Sequence, residues 1–535
     1  MVLVQIKFDN SLYLWIFQKI FYNTIQVIMA EIIKAKIFYT FSFLILVICS
    51  PGLTSAMEVP VIKAGTSKIT GSISTVGGTN KDSILVTIGV PHPISGEYVR
   101  YNVLVNQAGS FSIDVDVETT TSLLSITSSL NPYKSFYVKI SSGTATHIDL
   151  AYTAALDLKN IQVSPAGLTR NDMTRGIAVV YEMISYRPDR APEQMFAKPP
   201  AYFLKHAKKV VSERLKILDQ DTLISKNLKD VLSRDFRLLM YNTHVFDYEG
   251  EMKNSFQNTA DDKNKQPDIQ NIDLSYFGFL REFNLQDPQY LYCSTFSEFQ
   301  KTILQNEKIG LPIIGDTDIP SWLVKVKAIL SPLTGFNEGQ YYDVLAANAY
   351  GRQLNEKGMP LTIKQRNNIA RYWKKGEIAK ILLRKNKQVV DSNKGKSPAV
   401  VNEISSVPDE QVMNTIVSKY KNKVVLVDLW ATWCAPCLDA MRQFESTKAE
   451  FLHQDVVFVY VTNSLSPRRL WAEKIEGIGN EHYYLTDSQW AYMMNHFGFQ
   501  GIPSYLLFNK SGGLVNQFTA FPGSEKVKEM LNGLL

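Results

Sequence analysis

The chain has 535 residues, of which 45% are hydrophobic and 20% are charged, and its formal net charge is +6. This composition is typical of a folded protein with hydrophobic cores and excludes a predominantly disordered chain. The length is sufficient for about three or four domains. Because the excess of positive charge is dilute over this length, we expect no nucleic-acid partner.

Residues 1–56 have the pattern of an export signal. Counted from Met29, Lys34 and Lys36 precede an apolar run at 37–48, and small residues at 54–56 form a cleavage site. We therefore predict a signal peptide and a mature chain in the periplasm or cell envelope, outside the cytoplasm.

Two features of this segment leave alternatives open. Residues 1–28 include a further apolar stretch, which a signal peptide does not require. It is explained either by a wrongly chosen upstream start codon or by a retained membrane anchor. Cys49 raises the question of lipidation, although Ile48 precedes it where lipoprotein signals have a small residue.

Residues 57–155 alternate between apolar and polar side chains with the period of a β-strand. The alternation is clearest at 98–105 and 111–117, and shorter stretches at 135–140 and 147–151 continue it. The Ser, Thr and Gly residues between these stretches favour turns. This pattern predicts a small antiparallel β-sandwich.

From residue 160 to residue 385 the hydrophobic period becomes helical, and it predicts an all-α domain with helices near 228–239, 296–304, 322–330 and 363–383. The intervening stretch 248–273 is polar, and we expect an exposed loop there. Cys293 is predicted to be a buried thiol, although an odd cysteine in an exported protein is also a candidate for an intermolecular disulfide. Residues 386–408 have the composition of a linker into a final domain at 409–535.

The final domain contains a CxxC motif, Trp433-Cys434-Ala435-Pro436-Cys437. The nearly continuous apolar run 424–429 before it predicts a buried strand, and Pro436 suits the first turn of a helix. Two cysteines at this spacing can form a disulfide without backbone movement. The positive end of the helix dipole favours the thiolate of the first cysteine, so we assign Cys434 as the nucleophile and Cys437 as the resolving thiol.

A zinc site is the main alternative for a CxxC pair. Such a site requires a second pair of Cys or His ligands. The sequence contains no second CxxC and no HxxxH. We therefore predict neither a metal nor another cofactor.

Residues 427–437, with the CxxC motif, and residues 498–508, with Pro503, resemble the active-site segment and the cis-proline strand of the thioredoxin superfamily. The resemblance extends over about residues 400–535. The spacing between Cys437 and Pro503 is longer than in plain thioredoxin, as in the TlpA/ResA-like branch. The segment also resembles the Bacteroidetes-type members of that branch, which have long N-terminal extensions.

The resemblance implies roles for several residues. Asp428 aligns with the buried acid of the family, which serves Cys437 as a base, and a carboxyl in an apolar strand is expected to have a raised pKa. The alternative is a strand Asp satisfied by local hydrogen bonds. Pro503 corresponds to the cis-proline beside which an extended substrate pairs, with Ile502 and Trp433 as further substrate-binding residues. Trp430 either shapes the rim of the site or only packs.

One residue departs from the pattern of the branch. Many relatives have a Glu three residues after the second cysteine, and Ala440 occupies that position here. Asp439 is one residue away, about 100° around the helix, and does not substitute directly. Thiol exchange does not depend on this Glu, whereas its absence argues against a specialised role such as cytochrome c maturation.

These features together predict an exported thiol–disulfide oxidoreductase that reduces disulfides of envelope proteins. The Ala435-Pro436 pair between the cysteines resembles that of thioredoxin, which favours a reductase. A reductase outside the cytoplasm requires electrons, so we expect a membrane electron-donor relay as a partner. Two alternatives remain, which are a disulfide oxidase or isomerase and an envelope binding or scaffold protein with an accessory redox domain. The large share of the chain outside the redox domain favours the scaffold.

Overall fold

The computed structural model describes residues 57–76, 84–262, 267–393 and 398–535. The described residues form two compact units. One unit comprises residues up to 355 together with 361–386, and the other comprises 356–360 and the residues from 387 onward. The predicted signal peptide, the membrane anchor and lipidation at Cys49 lie outside the described residues.

The first unit begins with two four-stranded sheets, ordered β4-β1-β7-β8 and β3-β2-β5-β6. The strands are β1 (Ile62–Thr75), β2 (Leu85–His92), β3 (Glu97–Leu104), β4 (Ser110–Thr119), β5 (Thr121–Ser128), β6 (Asn131–Ser141), β7 (Ala145–Tyr152) and β8 (Leu158–Ser164). Apolar side chains from both sheets form one hydrophobic cluster, which includes Ile69, Val86, Leu124 and Ile148. The predicted alternation therefore does mark residues that face a core.

The sheets differ from the prediction in two respects. The pair β1–β7 is parallel, whereas the sequence predicted only antiparallel pairing. An alternating pattern identifies the buried face of a strand but carries no information about the direction of its neighbour. The strands also continue beyond residue 155, because β8 pairs with β7.

The helices of this unit follow in chain order. They are α1 (Arg170–Ser185), α2 (Pro200–Gln220), α3 (Lys226–Met240), α4 (Tyr248–Thr259), α5 (Phe296–Gln305), α6 (Ile319–Thr334), α7 (Gln340–Glu356), α8 (Ile363–Tyr372) and α9 (Glu377–Asn393), the last of which extends into the second unit. The strands and the helices lie in one compact unit, and contacts between them include a hydrogen bond of 2.8 Å from Arg384 to the carbonyl of Gly65.

Two predictions for the helical region were wrong. The stretch expected to be an exposed loop begins with α4, where Tyr248, Met252 and Phe256 recur every fourth residue and are buried. The helix expected at 363–383 is divided into α8 and α9, and Lys374 between them has a left-handed backbone with φ of 54°. A left-handed residue cannot continue a right-handed helix, so the chain changes direction there.

The second unit is built on a six-stranded sheet of order β14-β13-β10-β11-β12-β9. Its elements are β9 (Ala399–Asn402), α10 (Val412–Ser418), β10 (Val424–Leu429), α11 (Ala435–Glu450), β11 (Val456–Thr462), α12 (Arg468–Ile478), β12 (Asn480–Tyr484), α13 (Asp487–His496), β13 (Ser504–Phe508), β14 (Leu514–Thr519) and α14 (Ser524–Asn532). The stretch 386–408, predicted as a linker, contains the end of α9 and the edge strand β9.

Strand β10 lies inside this sheet, parallel to β11 and antiparallel to β13. All six of its residues are buried, which confirms the strand predicted from the apolar run. Separate hydrophobic clusters contain its alternate residues, because successive side chains point to opposite faces of a sheet. Among the helices that the structure describes, none has both the length and the hydropathy needed to cross a membrane.

Candidate functional site

The CxxC motif lies between the end of β10 and the start of α11. Pro436 is in the first turn of the helix, as the sequence predicted. The preceding loop is held by the segment that follows β11, because the backbone N–H of Thr432 donates to the Ser466 hydroxyl over 2.9 Å. The hydroxyls of Ser466 and Thr462 are themselves 2.7 Å apart. Buried hydrogen bonds of this kind fix the position of the loop relative to the sheet.

Cys434 and Cys437 form a disulfide, with their Cα atoms 5.3 Å apart. Both residues are buried, and the backbone N–H of Cys437 donates to Sγ of Cys434 over 3.2 Å. Cys434 is the N-cap residue of α11. Its sulfur therefore lies where the free N–H groups and the positive end of the helix dipole stabilise negative charge.

Asp428 is buried in β10, with Tyr460 of β11 opposite it on one side and Tyr505 of β13 on the other. Its Oδ1 atom has no hydrogen-bond partner among the described residues. Burial raises the pKa of Asp428 to about 8, and the ammonium group of Lys448 opposes this shift. A carboxyl with this pKa can accept and release a proton near neutral pH.

A cavity of about 20 Å³ lies beside Asp428. It is lined by Ala440 of α11 and by Tyr460 and Tyr505, among other residues. The small side chain of Ala440 leaves space next to the carboxyl.

Pro503 lies at the same end of the sheet as the CxxC motif. The next residue, Ser504, begins β13 and is opposite Leu429, the last residue of β10. The Ile502–Pro503 peptide bond is cis, and the carbonyl of Pro503 accepts a hydrogen bond of 3.0 Å from Ala520. Ile502 packs against the hydrophobic cluster that contains both cysteines.

The two tryptophans beside the motif differ in exposure. Trp433 is 38% exposed, whereas Trp430 is fully buried in the same cluster as the cysteines. Trp433 is therefore accessible to a bound molecule. Trp430 packs inside the unit, which was one of the two roles considered for it.

Three polar residues near Asp428 were not identified from the sequence. They are Tyr460, Tyr505 and Lys448, whose Nζ is 3.3 Å from the hydroxyl of Tyr460. Each lies on a different element from Asp428, so only the strand register and the helix position bring them together. The described residues contain no group of three or more His, Cys, Asp or Glu side chains arranged to bind a metal ion.

Comparison with known families supports this description of the second unit. Residues 395–534 match the family model described as Redoxin. This match supports a thioredoxin-like redox domain in this part of the chain.

Solved structures are also similar to this part of the chain. A protein from Bacteroides vulgatus, described provisionally as a thiol–disulfide oxidoreductase, is 27% identical over 22% of this chain and 82% of its own, with a TM-score of 0.19. StoA from Bacillus subtilis is 21% identical over 20% of this chain and 82% of its own, with a TM-score of 0.18. A thioredoxin-family thiol:disulfide interchange protein from Chlorobium tepidum is 19% identical over 26% of this chain and 96% of its own, with a TM-score of 0.20. At these scores the similarities carry no functional conclusion.

Proposed function

We propose that this protein is an exported thiol–disulfide oxidoreductase of the TlpA/ResA-like kind, which reduces disulfides of envelope proteins. The observation that carries the proposal is the Cys434–Cys437 disulfide at the N-terminus of α11, directly after the strand β10 that contains the buried Asp428. Tyr460 and Tyr505 belong to the same hydrophobic cluster as the two cysteines, and they also line the cavity beside Asp428.

The reaction consists of two thiol–disulfide exchanges. In the first, the Cys434 thiolate attacks one sulfur of a substrate disulfide, and the other substrate sulfur leaves as a thiolate. In the second, the Cys437 thiolate attacks Sγ of Cys434 in the mixed disulfide and releases the second substrate thiolate. The substrate disulfide gains two electrons and is reduced, while the dithiol of the protein is oxidised to the disulfide.

Asp428 acts in the second exchange. Cys437 is buried and reacts only after it has lost its proton. Because burial raises the pKa of Asp428 to about 8, a part of the carboxyl groups is ionised at neutral pH and can accept this proton. The proton is then passed to solvent, and the site is ready for re-reduction.

Substrate recognition is assigned to the surface around Trp433, Ile502 and Pro503. Proline has no backbone N–H, so the chain at Pro503 makes no ladder bond through its own nitrogen. An extended substrate segment can pair with the neighbouring backbone there, and Trp433 offers an exposed ring beside the disulfide. Substrate specificity would then depend on backbone pairing more than on one side-chain pocket.

A reductase of this kind must be re-reduced after each turnover. The proposed donor is a membrane electron-donor relay, which supplies two electrons to the Cys434–Cys437 disulfide. The export pattern of residues 1–56 supports a location in the periplasm or envelope, with membrane anchoring as a possible variant. The insertion between Cys437 and Pro503 supports the assignment to the TlpA/ResA-like branch.

The proposal is tested by trapping mixed disulfides with the full chain in envelope extracts. A Cys437→Ser variant retains the attacking thiol but cannot resolve, so we expect it to accumulate disulfide-linked complexes with exported proteins. The double variant Cys434→Ser/Cys437→Ser is the matched control, and it should trap none. Complexes that persist in the double variant, or depend on Cys293, would contradict the proposal.

A further inference from the structure

Three side chains form a row across the middle of the six-stranded sheet. Asp428 of β10 is directly opposite Tyr460 of β11 and Tyr505 of β13 in the strand register. Residues that are directly opposite in neighbouring strands project from the same face of a sheet. The carboxyl and the two phenols therefore lie on the face that α11 covers.

The row contains two buried polar atoms without a partner. Neither Oδ1 of Asp428 nor the hydroxyl of Tyr505 has a hydrogen-bond partner among the described residues. Both residues line the cavity of about 20 Å³. A cavity of about 10–15 Å³ already suffices for one water, and buried polar groups are normally hydrogen-bonded. One water in this cavity would supply the missing partners, since it can donate to the carboxyl and bond the phenol.

Lys448 brings a positive charge to the other end of the row. Its ammonium group donates to the hydroxyl of Tyr460 over 3.3 Å and to the carbonyl of Ile478 over 2.9 Å. Lys448 is half-buried and lies about three helical turns beyond Cys437 on α11. It is therefore held by the protein at a distance from the disulfide, and its charge favours the ionised form of Asp428.

Other titratable groups face this region. Glu445 lies on α11 with Lys448, and its charge acts on Tyr460. His482 of β12 stacks on the ring of Tyr460, with ring centroids 5.2 Å apart, and burial lowers the pKa of His482 to about 4. His482 is therefore neutral at neutral pH. Helix α14 contributes the apolar Val527 to the lining of the cavity.

We propose that Tyr505, one water in the cavity, and Lys448 held by Tyr460 are positioning elements that keep Asp428 able to accept the proton of Cys437. The water hydrogen-bonds both the Tyr505 hydroxyl and the carboxylate, and the Lys448 ammonium stabilises the charge of the carboxylate through space. This inference rests on the proposed thiol exchange and assigns to it residues that do not themselves touch the substrate. One proton moves from Cys437 to Asp428 during resolution, and Tyr505 and Lys448 keep their own protons.

The test follows the titration of the Asp428 carboxyl group in the full chain by infrared spectroscopy. The spectrum of the Asp428→Asn variant is subtracted at each pH to isolate the signal of this carboxyl. Tyr505→Phe removes one hydroxyl, and Lys448→Met removes one charge. We expect each variant to raise the titration midpoint of Asp428 by about one pH unit. Lys448→Arg keeps the charge and should restore the midpoint. Tyr492→Phe and Lys510→Met are matched surface controls, and they should leave the midpoint unchanged.

The cavity itself is tested with Ala440→Val, which fills the space and should displace the water. We expect the same upward movement of the Asp428 midpoint, together with an equal shift in the pH profile of mixed-disulfide resolution. The proposal is wrong if these variants lower the melting temperature but leave the midpoint in place, because the residues then only pack. If the wild-type chain performs no thiol exchange, the proposed function is wrong. The infrared titration then still shows whether Tyr505 and Lys448 act on the carboxyl group of Asp428.

Discussion

The backbone N–H of Cys437 donates to Sγ of Cys434 over 3.2 Å, at the N-terminus of α11. After reduction, the same N–H and the helix dipole are available to the sulfur of Cys434 as a thiolate. Cys437 lies one turn further into the helix and is fully buried, so its sulfur lacks this stabilisation. The geometry therefore supports the proposed roles, with Cys434 as the attacking and Cys437 as the resolving cysteine.

Alkylation of single-cysteine variants tests this distinction. In mildly acidic buffer we expect reduced Cys437→Ser, which retains Cys434, to react with iodoacetamide at least about tenfold faster than reduced Cys434→Ser. Mass spectrometry of the labelled peptides gives the two rates, and the Cys293→Ser background removes the buried third thiol. Equal alkylation rates for the two variants would show that the assignment of Cys434 as the nucleophile is wrong.

The direction of the redox reaction follows from the reduction potential of the Cys434–Cys437 pair. We expect a value near that of thioredoxin, about −270 mV, when thiols are trapped across glutathione and dithiothreitol buffers. A value of roughly −120 to −180 mV would make the protein an oxidant or isomerase instead. Ser substitution of both cysteines provides the blank for this titration.

Asp428 is expected to act on the second exchange and not on the first. In Asp428→Asn, the attack of Cys434 on a model disulfide should keep its rate, whereas resolution by Cys437 should slow by about 10²-fold near neutral pH, the lower range for loss of a general base. Rapid-mixing experiments with acid quenching separate the two steps. If both steps slow equally, Asp428 acts on the folding of the site and not as a base.

The stability of the redox unit should depend on pH through the same residue. Burial raises the pKa of Asp428 from its ordinary value of 3.8 to about 8. Because the folded pKa lies above the unfolded one, the stabilisation is fully present below about pH 4 and is lost as the pH rises through about 8. The loss is on the order of 5 kcal/mol in unfolding free energy.

Hydrogen exchange of the β10 amides, corrected for the intrinsic effect of pH, measures this loss. In Asp428→Asn the side chain is neutral at every pH, so the dependence should be absent. Asp455→Asn is the matched control, because the Asp455 side chain is exposed and forms an ion pair with Lys510 at 3.4 Å, and it should retain the wild-type profile. A flat profile in the wild type would contradict a buried, titrating Asp428.

The two tryptophans provide a test of substrate binding against packing. Trp433→Ala should raise KM for a disulfide-containing peptide several-fold with little change in melting temperature, because the ring is 38% exposed. Trp430→Ala should instead destabilise the unit by about 3–5 kcal/mol, because the ring is fully buried. Enzyme kinetics and thermal unfolding of both variants distinguish the two roles.

Local sequence patterns were sufficient for elements whose cause is local. The apolar run of β10 and the proline in the first turn of α11 identified the strand and the helix around the cysteines. The helix α4 was missed because its buried residues, Tyr248, Met252 and Phe256, are separated by polar side chains and a glycine. The parallel pairing of β1 with β7 depends on contacts between distant residues, which no local pattern contains.

The candidate site likewise contains features that the local sequence predicts and features that depend on contacts between distant residues. The spacing of Cys434 and Cys437 and the position of Asp428 in an apolar strand could be read from the sequence, because each depends on near neighbours in the chain. The positions of Tyr505 and Tyr460 beside that carboxyl could not, because they depend on strand register, and a shift of one residue would turn both rings to the opposite face. The sequence by itself therefore determined the candidate reactive groups, and only the tertiary structure decided which groups surround the acid.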